Sequence, residues 1–103
     1  MIVHIVVFRL SAEDPATKFR DASEFGARLG ALEGRVTGLL SVEVGIDVGL
    51  LRDHADMVLT SKHLSYADLE AYQAHPLHVQ AAAFGRTVVA ERTTVDYEIV
   101  AAD

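Results

Sequence analysis

The chain has 103 residues, 50% of them hydrophobic and 23% charged, with a formal net charge of −6. That length suits one small domain, residues 1–103, and leaves no room for two separate cores. The nine basic residues are scattered singly, which argues against nucleic acid or an anionic membrane surface as a partner.

Cysteine is absent, so disulfides, thiolate nucleophiles and thiolate metal sites are excluded together, a composition that suits the cytoplasm. The apolar start Ile2-Val3-His4-Ile5-Val6-Val7-Phe8 carries a histidine and reaches Arg9 too soon for an export signal. No stretch approaches the roughly 20 apolar residues needed to cross a bilayer.

Residues 2–10 read instead as a strand buried on both faces, with Ile2, His4, Val6, Phe8 and Leu10 on one and Val3, Ile5, Val7 and Arg9 on the other. Asp14-Pro15 is a helix N-cap followed by proline at the first helical position. Phe19, Ala22, Phe25, Leu29 and Leu32 then form one apolar stripe, and Gly34 is the expected stop. A second strand over 39–48 alternates strictly, Leu40, Val42, Val44, Ile46 and Val48 against Ser41, Glu43, Gly45 and Asp47.

After a polar turn, residues 56–63 form a third strand, apolar on both sides through Met57-Val58-Leu59. Ser65, with Asp68 three residues on, caps a helix whose inner side is expected to carry Tyr66, Leu69 and Tyr72. His75-Pro76 breaks that helix, and Pro76 starts another, with Val79, Ala82, Ala83 and Val88 as its apolar residues. The last strand, 93–100, alternates Val95, Tyr97 and Ile99 against Thr94, Asp96 and Glu98.

The order β-α-β-β-α-β predicts an α+β, ferredoxin-like fold: a four-stranded antiparallel sheet in the order 4-1-3-2 with helices on one face. The strands apolar on both sides take the centre. Helices cover only one face, and leaving Val3, Ile5, Val7 and Val58 in water forgoes roughly 1.5–3 kcal/mol for each side chain. A homodimer laid sheet to sheet removes that exposure, with Glu43, Asp47, Asp96 and Glu98 expected on the same face.

The segment Tyr72-Gln73-Ala74-His75-Pro76-Leu77-His78 is the richest in chemistry. A neutral imidazole is the natural general base near pH 7, and a tyrosine hydroxyl donates to a carbonyl or enolate oxygen. His78 and Tyr72 therefore suit proton removal beside a carbonyl, with His4 pointing between sheet and helices. The expected walls of a pocket for a small apolar or aromatic ligand are Phe19, Phe25, Val42, Leu59 and Phe84. The plainer reading makes Tyr72 and His78 a buried pair that locks the helix break.

His75 is expected to satisfy helix-end groups before Pro76, a structural role for both residues. His75 and His78 have a spacing found in metal sites, yet no third ligand is evident, so no metal is assigned. A surface cation at Asp53-His54-Ala55-Asp56 competes with a solvated loop as the explanation of that turn.

The start Ile2-Val3-His4-Ile5-Val6, the strand Val42-Glu43-Val44-Gly45, and Tyr72-x-x-His75-Pro76-x-His78 together resemble the stress-responsive dimeric α/β-barrel family over nearly the whole chain. The resemblance implies a dimer whose two sheets face each other as a barrel, with a small cavity between each sheet and its helices. It also implies kinship with the olivetolic acid cyclase type, which closes a linear polyketide by an aldol step without metal or organic cofactor. That branch matches at His4, Tyr72 and His78, whereas its third-strand histidine falls on Met57 here. A non-catalytic stress or ligand-binding protein and a cofactor-free quinol monooxygenase are the alternatives.

Overall fold

The computed structural model describes residues 1–100, so the end of the expected 1–103 domain lies outside the described residues. Its elements are β1 (Ile2–Leu10), α1 (Pro15–Gly30), β2 (Leu39–Ile46), β3 (Met57–His63), α2 (Tyr66–Ala74), α3 (Pro76–Val88) and β4 (Val89–Glu98). The sheet order is β2-β3-β1-β4, every neighbouring pair is antiparallel, and the helices lie on one face. The two strands with apolar residues on both faces hold the centre, as their sequences require.

Local chemistry sets the helix starts. The Asp14 carboxylate accepts from the Thr17 amide at 2.9 Å, and Pro15 supplies a preset φ at the first helical residue. Ser65 Oγ accepts from the Asp68 amide at 3.2 Å and donates to the Asp68 carboxylate at 2.9 Å. α1 stops at Gly30 rather than Gly34: the Leu32 and Glu33 amides bond to the Leu29 and Gly30 carbonyls three residues back, at 3.1 and 3.2 Å, and the α-helical ladder gives way to tight turns. Gly34 adopts a left-handed φ of 79° in the turn that follows, and Leu32 and Val36 bury themselves from that turn.

Several expected faces shift. Leu40 is exposed because a bulge between Leu39 and Ser41 turns it away, while Val42 and Val44 pack on the core. Tyr66 is exposed, and Leu69 and Tyr72 form the buried side of α2. On α3 the buried residues are Ala81, Gly85 and Val88, while Val79 is 49% exposed and Ala83 also faces outward.

That rotation of α3 follows from how closely it approaches α1. A Cβ built on Gly85 would lie 2.5 Å from Phe25 Cζ, so only glycine admits the ring there. Phe25 in turn packs edge-on against Phe8, with ring centroids 5.1 Å apart. Gly85→Ala gains about 1 kcal/mol of helix propensity. Overpacking costs about 1–3 kcal/mol, so the variant should be less stable by up to about 2 kcal/mol in urea unfolding. A stabilised variant would show that the ring yields freely.

The largest correction concerns β4. Val95 and Tyr97 stand opposite Ile5 and Val3 on the face away from the helices, and Asp96 and Glu98 stand opposite His4 and Ile2 on the helical side. Asp96 and Glu98 therefore leave the open face on which they were expected. Strand register decides this: neighbouring residues point to opposite faces, so placing one of them places them all. Val3 is already 1% exposed in the single chain, between the long side chains of Lys62 and Tyr97 that flank it. The open apolar surface is carried instead by Ile5, Val7, Val58, Val95 and Tyr97.

Candidate functional site

Between the helical face of the sheet and helices α1 and α3 lies a cavity of about 450 Å³. Phe8, Phe25, Leu29 and Leu59 form its apolar wall, and His4, Gln73, His78, Arg86 and Arg92 its polar parts. The apolar wall follows from parity: Phe8 and Leu59 take inward positions on the two central strands, and Phe25 and Leu29 are one turn apart on the buried stripe of α1.

His4 sits inward on β1, 4% exposed, and its Nδ1 donates to the Asp96 carboxylate on β4. That bond occupies Nδ1 and leaves Nε2 as the ring nitrogen not engaged by Asp96. His78 lies in the opening turns of α3, set there by the chain break at His75-Pro76. His75 is the N-cap, its Nδ1 accepting from the Leu77 amide at 3.1 Å, and Pro76 is the first helical residue.

Burial lowers the His78 pKa below the ordinary histidine value; the Gln73 backbone opposes this, and the positive character of His4 and Arg92 reinforces it. His78 is therefore a neutral imidazole at pH 7. Its ring meets Tyr72 edge-on, centroids 4.6 Å apart. Tyr72 is fully buried on α2, and that burial pushes its hydroxyl pKa up to about 12, so it remains a donor. Among the described residues its hydroxyl has no protein partner.

Behind Tyr72 stands His63, a residue for which the sequence offered no separate signal. It is fully buried, its ring is 4.9 Å from Tyr72 and 6.3 Å from His4, and Ser61 Oγ lies 2.8 Å from its Nε2. Burial first, then His4, lowers its pKa, so it too is uncharged at neutral pH. Strand alternation placed His63 inward with Met57, Leu59 and Ser61, and that parity was the available clue. Asp96 was missed because β4 was assigned the opposite face.

The structure brings His4, His78, Phe25 and Leu59 to the cavity and sets Tyr72 against His78. It does not bring Phe19 there. Phe19 is 63% exposed and borders a separate depression with Lys18 and Ile46, because the first turns of α1 lie beside the 47–56 loop rather than over the core. Val42 packs on the core without lining the cavity. Phe84 lies behind Phe25, with the Arg28 guanidinium 4.3 Å over its ring, and also stays off the lining. In the 53–56 turn, Asp56 is engaged by the Leu10 amide at 2.7 Å and by Lys18 Nζ at 3.3 Å.

Solved structures share this architecture. A dimeric ferredoxin-like protein of unknown function from Bacteroides fragilis is 26% identical, with a TM-score of 0.85 and 95% of each chain covered. A Dabb family protein with a ferredoxin-like fold from Mesorhizobium loti is 20% identical, with a TM-score of 0.70 and 97% of each chain covered. The hydroxynitrile lyase of Passiflora edulis is 18% identical, with a TM-score of 0.77, covering 99% of this chain and 95% of its own. The last two likenesses speak to the fold alone. No curated protein matches the sequence. With its sheet order, its helical layer and a match over residues 2–99, the chain belongs to the stress-responsive A/B barrel domain family.

Proposed function

We propose that the chain pairs with a second copy through its open sheet face, and that each subunit encloses a small, largely apolar carbonyl compound in the cavity beside His78. The carrying observation is the juxtaposition of an apolar wall with an imidazole kept neutral by burial. Pairing draws support from the apolar stripe on the open face and from the Bacteroides fragilis relative, itself described as dimeric.

In this reading His78 takes a proton from the carbon beside a carbonyl, Tyr72, which packs against His78 from off the cavity lining, turns its hydroxyl to steady the enolate oxygen, and His4, held by Asp96, orients the substrate. The enolate carbon then attacks a second carbonyl in an aldol cyclisation, or is reprotonated elsewhere in an isomerisation. His78 returns the proton, so the step balances without an oxidant or cofactor. The complete burial of Tyr72 supports a second reading, in which the same cavity binds its ligand without turnover and Tyr72 braces the core.

A thermal-shift screen of small apolar ketones and aldehydes tests the site. A bound ligand stabilises by mass action, about 2.7 kcal/mol at a hundred times Kd. Compounds that raise the Tm of the wild type should lose that effect in His78→Ala and Tyr72→Phe. Stabilisation that persists in both variants would place the ligand elsewhere.

A further inference from the structure

Two arginines reach the cavity, and among the described residues no carboxylate lines it, although the protein as a whole carries a charge of −6. Arg92 lies on the helical side of β4, paired in register with Phe8. Arg86 lies in the last turn of α3, next to Gly85. Arg9, Arg20 and Arg28 each have a carboxylate within salt-bridge distance; among the described residues Arg86 and Arg92 have none, and neither do the exposed Arg35 and Arg52, which lie off this cavity. Asp96 shares the strand face of Arg92 but sits four residues along, about 13 Å away at ordinary strand rise, and is engaged with His4.

We infer that the ligand carries a carboxylate, held at the cavity rim by Arg92 and Arg86, with its apolar body against Phe8, Phe25 and Leu59. This rests on the ligand-binding reading above and narrows it from a carbonyl compound to a keto acid. The helix C-terminus accounts for the sign of Arg86, since cations are favoured there. It does not account for Arg92, a strand residue. Two planar guanidinium forks match a carboxylate, and a locally positive rim on an acidic protein concentrates anionic ligands at the cavity. Arg92 also acts on His78, helping to keep its imidazole neutral, so a bound carboxylate would offset that field and make His78 a stronger base.

The test is isothermal titration with the keto acid benzoylpropionate and with its methyl ester, on the wild type, Arg92→Gln and Arg86→Gln. Both arginines are exposed, so the variants should fold, and ester binding reports an intact cavity in each. The acid should bind the wild type about tenfold more tightly than the ester, and each substitution should weaken acid binding more than ester binding, removing much of that preference. Added salt should weaken acid binding alone. An ester that binds the wild type as tightly as the acid overturns the carboxylate assignment and leaves the cavity reading standing, as does an acid preference that survives both substitutions. Binding of neither compound overturns both.

Discussion

Replacing His78 by alanine is expected to lower turnover of a carbonyl substrate by about 10²–10⁴-fold, the usual contribution of a positioned general base, while the subunits remain paired. The residue sits on the cavity side of α3, away from the open sheet face, so its loss removes the base without touching the proposed interface. The pH profile supplies a second, independent reading. A base works in its neutral form, and burial sets the His78 pKa below the ordinary value of 6.5. Activity should therefore be full at neutral pH and fall only as the pH drops through that lowered pKa.

Stability carries the same sign. The unfolded chain takes up protons at His63 and His78 near pH 6.5, and the folded chain does so only at lower pH. Between those values the unfolded state binds more protons, so stability declines as the pH falls through this window and is unaffected above it. Measuring kcat/KM and the urea midpoint against pH checks both statements. An acidic limb above pH 6.5 would assign the base to another group, and a His78→Ala variant that dissociates or unfolds would mark the residue as structural instead.

The second large effect is expected on the open face of the sheet. Val95 is 54% exposed and Tyr97 46% exposed in the single chain, beside half-buried Ile5, Val7 and Val58, which together make an apolar band across the strands. A two-fold pairing buries each of these twice, so Val95→Lys would introduce two ammonium groups into one interface. Taking both charges out of water should raise the dissociation constant by roughly 100-fold or more. The folded chain should tolerate the change, because Val95 lies on an edge strand and faces open space. Sedimentation velocity at micromolar concentration gives the answer. A wild type that is already monomeric, or a variant that stays paired, would remove the barrel arrangement proposed for this chain.

Short-range chemistry made much of the fold legible. Asp14-Pro15, Ser65 with Asp68, and His75-Pro76 mark helix starts through hydrogen bonds and fixed dihedrals that span only a few residues. The uninterrupted apolar runs of β1 and β3 signal burial on two faces, hence central positions in the sheet. Where the reading slipped, the missing quantity was a long-range one. Val79 and Ala83 looked apolar enough to face inward, yet the contact of Gly85 with Phe25 set the rotation of α3. Phe19 belongs to the same stripe as Phe25, but whether the sheet extends beneath it depends on where α1 crosses the sheet.

The sequence alone therefore determined the order of elements, the strand order, the helix caps and the inward parity of His4, because each follows from periodicity or from groups close together along the chain. Only the tertiary structure decided which face of β4 meets His4, that His63 stands behind Tyr72, and that Arg86 and Arg92 share a cavity with His78. Those juxtapositions join residues far apart in sequence, and they depend on strand register and helix rotation, which a one-residue shift reverses and no local pattern encodes.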